Sequence, residues 1–250
     1  MAPPISIQLY TVRELAAKDY AGTVEKIAEI GFVAVEPAGF PGYTLEKAVA
    51  LYDRLGLQVS SAHLALPVGA GKQESIETAK ALGITRMVSG LGPDDFKTLD
   101  LIKVSCERFN EAGANATAAG LSFGIHNHWW EFLTVAGKPV YQHMLEYLTD
   151  DVFFEIDTYW VKTGGCDTAT VLQELGDRAP LLHIKDGPCV QGQPMTAVGQ
   201  GTIDWAPIFA AGTAAEWAIV ELDACATDML TAVSQSYDYL IGQGYARGNK

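Results

Sequence analysis

Val152-Phe153-Phe154-Glu155-Ile156-Asp157 and Leu181-Leu182-His183-Ile184-Lys185-Asp186 share one pattern: a short apolar run that ends on ionisable side chains. Runs of this length with no polar alternation read as strands buried on both faces, the mark of a parallel sheet. The pattern repeats along the whole chain. Strands are expected at Ile5–Leu9, Phe32–Glu36, Gln58–Ala62, Arg86–Ser89, Ser122–Asn127, Val152–Asp157, Leu181–Lys185 and Trp217–Leu222. Helical periodicity lies between them, at Ala21–Ile30, Leu45–Leu55, Gln73–Leu82, Phe96–Ala119, Val140–Leu148, Ala169–Leu175 and Ala226–Gly242. Strands alternating with helices imply an α/β fold, and eight strands imply a (β/α)₈ barrel. An open doubly wound sheet is the alternative, but no G-x-G-x-x-G follows the first strand. Gly31, Gly56, Gly83 and Gly120 each follow a helical stretch, as helix-ending glycines do. No linker or low-complexity segment interrupts residues 1–250, so one domain accounts for the chain.

The composition agrees. A chain of 250 residues with 48% hydrophobic and 19% charged residues suits one barrel with a sizeable core. The formal net charge of −13, without any cluster of Lys and Arg, argues against nucleic-acid binding. No apolar run is long enough to span a bilayer, and the first residues lack the pattern of a signal peptide, so a cytoplasmic protein is expected. Cys106, Cys166, Cys189 and Cys225 are widely spaced and read as reduced, mostly buried thiols.

Ionisable groups inside apolar strands are costly unless paired or bound to metal. Here they collect at strand ends: Glu36 at the second, His63 at the third, His126 and His128 at the fifth, Glu155 and Asp157 at the sixth. His183, Lys185 and Asp186 end the seventh, and Glu221 and Asp223 the eighth. In a (β/α)₈ barrel this end carries the active site. Any one of them alone reads as readily as a loop anchor; the joint pattern does not. His143, in a helical stretch, reads as structural. Residues at i and i+2 share a strand face, so each same-strand pair stacks one group above another. A mixed His and carboxylate set suits one divalent ion, Mn²⁺, Co²⁺, Mg²⁺, Fe²⁺ or Zn²⁺. Such an ion can polarise a carbonyl beside which a carboxylate removes a proton, with Lys185 or His63 stabilising the oxygen that gains charge.

Ser6-Ile-Gln-Leu-Tyr-Thr-Val-Arg13, Gly31-Phe-Val-Ala-Val-Glu36, Ser61-Ala-His63 and Gly124-Ile-His-Asn-His128 with Glu131-Phe132 have a familiar look. So do Glu155-Ile-Asp-Thr-Tyr-Trp-Val161, Leu182-His-Ile-Lys-Asp-Gly187, Gly199-Gln-Gly-Thr-Ile-Asp-Trp205 and Val220-Glu-Leu-Asp223. In this order the chain resembles the xylose isomerase-like TIM barrel superfamily, in its sugar phosphate isomerase/epimerase branch. The resemblance implies a metal held by Asp157, His183 and Glu221 together with a strand-five residue. Relatives often carry Glu-Asn-His there; this chain has His126-Asn127-His128, so His126 takes the fourth place as a ligand or leaves that position open to water. The usual pair of glutamate bases is then incomplete, and Glu131 is a substitute only if its loop folds inward.

The implied catalytic residues are Glu221, Lys185 and His63. The implied substrate contacts are Glu36, His128, Trp160 and Lys185, with Trp129, Trp130 and Tyr159 adding to an aromatic mouth. Gly199–Gly201 is a weak phosphate cradle. The implied activity is isomerisation or epimerisation of a sugar or keto-sugar. The alternatives are a metal-dependent lyase or dehydratase on a 3-keto sugar or inositol-like ring, a hydrolase of the same fold, and a non-catalytic sugar-binding barrel. The expected partner is a small carbohydrate, with no nucleic acid, no membrane and a possible homodimer.

Overall fold

The structure is a computed structural model that describes all 250 residues. Its principal sheet is parallel throughout, and its strands fall where the apolar runs are. They are β1 (Ile5–Gln8), β2 (Ala34–Glu36), β3 (Gln58–Val59 and Ala62–His63), β4 (Arg86–Ser89), β5 (Ser122–His126), β6 (Phe153–Asp157), β7 (Leu181–Ile184) and β8 (Trp217–Val220). β3 is one strand in two pieces. Gln58–Val59 pairs with β2, and Ala62–His63 pairs with β4. The chain steps from one neighbour to the other at Ser60-Ser61, and β8 pairs with β1, so the sheet closes into a barrel.

The outer layer comprises α1 (Tyr20–Ile30), α2 (Leu45–Leu55), α3 (Lys72–Ala81), α4 (Leu99–Ala118), α5 (Val140–Tyr147), α6 (Thr168–Leu175), α7 (Trp205–Ala211) and α8 (Met229–Gly242). Short polar side chains start them. Asp19, Thr44, Thr98, Asp167 and Asp228 each accept a backbone N–H of the first turn. Capping explains two differences from expectation. α4 begins after Thr98 rather than at Phe96, which ends a separate 3₁₀ turn, and α8 begins after Asp228 rather than at Ala226. Gly31, Gly56, Gly83 and Gly120 all adopt positive φ after α1 to α4. Only Cys106 of the four cysteines is fully buried; the other three are half-buried, and all four are free. No helix is long and apolar enough to cross a membrane.

Strand alternation sorts the side chains. Ile5, Ile7, Ile125, Phe154, Ile156, Leu182, Ile184 and Val220 join the core shared with the helices. Val88, Phe153, Leu181 and Ile219 form a separate cluster that plugs the barrel lumen. Above this plug the inward positions are polar. The plug depends on one missing side chain. A Cβ on Gly124 would lie 2.1 Å from the Phe153 ring, which packs directly against the β5 backbone. Gly124→Ala is therefore expected to destabilise the fold by about 2–3 kcal/mol, an overpacking cost. Urea unfolding of Gly124→Ala and of Gly124→Ala/Phe153→Leu checks this, because trimming the ring should recover part of the loss.

Candidate metal centre

The inward face continues upward on each strand at two-residue steps. On β6 it runs Phe153, Glu155, Asp157; on β7 and just beyond it runs Leu181, His183, Lys185. On β5 it carries Gly124, His126 and then His128, and on β8 it ends in Glu221 and Asp223. Register brings these together: His126 lies opposite Glu155, and Asp157 opposite His183.

The side chains meet in two tiers. In the deeper tier one oxygen of Glu155 lies 2.6 Å from His63 Nε2, 3.1 Å from His126 Nδ1 and 3.1 Å from His183 Nε2. Glu36 stands beside it. Its carboxylate accepts from Gln8 Nε2 at 2.8 Å and from the Ser61 hydroxyl at 2.5 Å, and lies 2.7 Å from His183 Nε2. In the upper tier Glu221 lies 2.7 Å from His183 Nδ1. The Lys185 ammonium lies 2.9 Å from Asp157, 2.7 Å from Glu221 and 2.7 Å from Asp223. Asp157 also caps the short helical turn Thr158–Thr163, its Oδ1 accepting the Trp160 N–H at 2.9 Å. That cap fixes the carboxylate and leaves Oδ2 to the Lys185 ammonium, 2.9 Å away.

Ligand atoms of His126, Asp157, His183 and Glu221 all lie within 4.8 Å of one another, and all four residues are buried. His63, His126, Glu155 and His183 form a second group meeting the same test. The donor set fits a divalent ion on two grounds. First, His126 faces a carboxylate with one ring nitrogen and has the other free. His183, with Glu36 behind its Nε2, has Nδ1 turned to Glu221. A carboxylate behind the imidazole is how metal-binding histidines are oriented. Second, Glu36, Glu155, Asp157 and Glu221 are all nearly inaccessible, and Lys185 is the one buried ammonium among them. Buried carboxylates gathered this closely are costly unless they are paired, protonated or bound to metal.

The protonation preferences express the same imbalance. Burial, with Glu155 adding to it, pushes Glu36 up to about 7. Burial raises Asp157 to about 6 against the pull of Lys185. Burial also works to raise Glu221, but Lys185 and His183 outweigh it and hold the carboxyl well below its usual range. Burial disfavours the charged form of His183, yet Glu155, Glu36 and Glu221 together lift it well above the ordinary imidazole value. His128, buried and facing Lys185, drops to about 4 and is neutral.

A cavity of about 420 Å³ opens above the upper tier. His63, His126, His128 and Glu221 reach it, together with Tyr10, Trp130 and Asp223. Trp130 was expected in the aromatic mouth and Asp223 among the strand-end groups, whereas Tyr10, just past β1, was given no role by sequence. Other expected contacts lie elsewhere. Lys185 is 1% exposed and enclosed by its carboxylates, Glu36 is 0% exposed beneath His183, and Trp160 lies 5.3 Å from the Lys185 ammonium without lining the cavity. Tyr159 is fully buried, so the aromatic part of the mouth is Tyr10 and Trp130 rather than Tyr159 and Trp160. Glu131 does not fold inward. It accepts the His128 N–H at 2.8 Å and is buried among Asn127, Phe132, Tyr141 and Met144, away from the cavity. His143 is structural, its Nε2 lying 2.8 Å from the Val135 carbonyl oxygen.

The 199–201 glycines have a different role from a phosphate cradle. The Asp186 carboxylate accepts the N–H groups of Gly187 at 2.8 Å, Gly199 at 2.9 Å and Ile203 at 3.3 Å, and Trp205 Nε1 at 3.2 Å. A Cβ on Gly201 would lie 2.0 Å from that carboxylate. The nest is filled by an acid of the chain itself.

This architecture has solved counterparts. A sugar phosphate isomerase/epimerase from Parabacteroides distasonis superposes with a TM-score of 0.83 at 22% identity, over 99% of this chain and 96% of its own. A second from the same organism gives 0.83 at 24% identity, over 98% and 100%. The IOLI protein, solved with a bound zinc atom, gives 0.69 at 14% identity, over 97% and 99%. No protein of curated function matches the sequence. The model of the xylose isomerase-like TIM barrel family matches residues 24–225, and the chain belongs to that family.

Proposed function

We propose that the protein is a divalent-metal-dependent isomerase or epimerase of a sugar or keto-sugar that abstracts a proton next to a carbonyl. The observation that carries this reading is the convergence of His126, Asp157, His183 and Glu221, one from each of four consecutive strands, beside a cavity that His126 and Glu221 reach. These four residues are the ligands in this reading. When bound, a divalent ion supplies Lewis acidity that polarises a carbonyl and acidifies the neighbouring C–H bond.

The chain's own residues then divide the work. Glu221 presents a carboxylate at the cavity wall and takes the proton from carbon as general base. His63, at the cavity edge with Glu155 behind it, donates toward the oxygen that gains charge. His128 lines the cavity as a neutral imidazole whose Nδ1 is buried without a partner, and its ring forms part of the wall on which the substrate lies. Lys185 acts through Asp157, Glu221 and Asp223, fixing their orientation, and Glu36 acts through His183. Both are positioning residues, because neither meets the cavity.

One observation favours a second reading. At strand five, where relatives often carry a glutamate, the wall offers His126 instead. Against the effect of burial, Glu36 and Glu155 raise His63 above the ordinary imidazole value, and Glu221 as base beside an imidazole that can protonate a departing hydroxyl also suits a lyase or dehydratase acting on a 3-keto sugar or inositol-like ring. Deuterium incorporation without loss of water separates isomerisation or epimerisation from elimination.

Elemental analysis tests the metal assignment. Protein purified without chelator, or resupplied with Mn²⁺, should hold about one equivalent of divalent metal, and Asp157→Ala should lose it while keeping its far-ultraviolet circular dichroism. A wild-type protein that takes up no metal after resupply would overturn the reading.

A further inference from the structure

The charge around the mouth bears on the substrate itself. Glu221 and Asp223 put two carboxylates on the cavity wall, and its other titratable groups are the imidazoles of His63, His126 and His128 and the Tyr10 phenol. The nearby cations are committed. Lys185 is shared among Asp157, Glu221 and Asp223. The Arg13 guanidinium donates to the carbonyl oxygens of Tyr10 and Asp223, each at 2.8 Å, and lies 4.0 Å from the centre of the Tyr10 ring. The backbone N–H nest past β7, the natural seat for an anion, already holds the Asp186 carboxylate. Apart from an ion at the proposed centre, a phosphate brought to this mouth meets two carboxylates and a filled nest, and neither Lys185 nor Arg13 lines the cavity.

The same wall is suited to an uncharged ring. Trp130 stacks on His128 with ring centroids 4.1 Å apart and planes 9° from parallel, so the pair forms a rigid aromatic platform at the cavity. Apolar C–H faces of sugars pack on such rings, while the hydroxyls on the edges reach polar groups, here His63, Glu221 and Asp223.

We propose that this site takes an uncharged, unphosphorylated sugar or keto-sugar, laid against Trp130, and discriminates against its phosphate esters. The inference rests on the isomerase reading above and specifies its substrate class. Matched pairs test it. Metal-resupplied protein is incubated in D₂O with D-ribulose and D-ribulose 5-phosphate, and with D-fructose and D-fructose 6-phosphate, and deuterium at carbon is followed by mass spectrometry. The neutral member of a reactive pair is expected to exchange at least about tenfold faster, a margin of about 1.4 kcal/mol. Equal or faster exchange of the phosphorylated member overturns the inference and leaves the isomerase reading standing.

Binding is read separately by tryptophan fluorescence, with xylitol and inorganic phosphate as probes on wild type and Trp130→Phe. Quenching by xylitol that is lost in Trp130→Phe, with none by phosphate, supports the inference even in a chain that exchanges no proton, which would defeat the isomerase reading alone. Quenching by phosphate and not by xylitol overturns it.

Discussion

Glu221→Gln is expected to lower exchange of a carbon-bound proton with solvent by about 10³-fold, within the range that a positioned general base contributes. The amide is nearly isosteric but cannot take a proton, and it weakens the ligand set at the same time. Thermal unfolding should change far less than activity, because Lys185 keeps Asp157 and Asp223 as partners. Initial rates at saturating Mn²⁺ separate the loss of the base from the loss of metal. A variant with wild-type rates would remove Glu221 from the chemistry and leave the cavity's imidazoles as the proton acceptors.

Asp186→Ala is expected to cost about 4 kcal/mol of stability without touching a cavity residue. The variant strips the acceptor from three backbone N–H groups and the Trp205 indole, all gathered on one buried carboxylate. A buried donor left without a partner costs about 1–3 kcal/mol, and entering water recovers part of that sum. Asp186→Asn should fall between wild type and Ala, since its amide retains one accepting oxygen. Urea midpoints of the three proteins give the order. A loss below about 1 kcal/mol in Asp186→Ala would mean that the 187–204 segment is held by apolar packing of Trp205 and Ile203 instead.

The strands were legible because burial on both faces forces continuous apolar runs, and an ionisable residue ending such a run stands out. The two-residue repeat stacked the groups on each strand, but it was the family resemblance that grouped His126, Asp157, His183 and Glu221, whose ligand atoms lie within 4.8 Å of one another. Directions beyond the strand ends were not legible. Trp129, Trp130, Tyr159 and Trp160 look alike in sequence, yet the Asp157 cap turns the following residues into a helix that buries Tyr159 and brings Trp160 up to the Lys185 ammonium. Lys185 has the composition of a mouth residue, and only the three carboxylates around it show that it is enclosed.

The step of β3 at Ser60-Ser61 leaves no trace in hydropathy, because the pairing partners on either side are set by barrel closure. α7 was missed because Trp205–Ala211 has no polar residue to mark an exposed face and carries Pro207, so no amphipathic period shows. The partners of Asp186 lie up to 19 residues downstream. A glycine pair at that distance reads as a ligand cradle until the fold places an internal acid within it.

Lys185 gives the barrel a resident counter-charge. An incoming divalent cation competes with its ammonium for Asp157 and Glu221, so the affinity of the centre is a difference between two occupants and not the full attraction of bare carboxylates. On the metal reading proposed above, the scaffold would keep its shape with or without the ion, unlike small domains that unravel when their metal is withdrawn. Folding would then be uncoupled from metal supply, and metal exchange would be an event local to the top of the barrel.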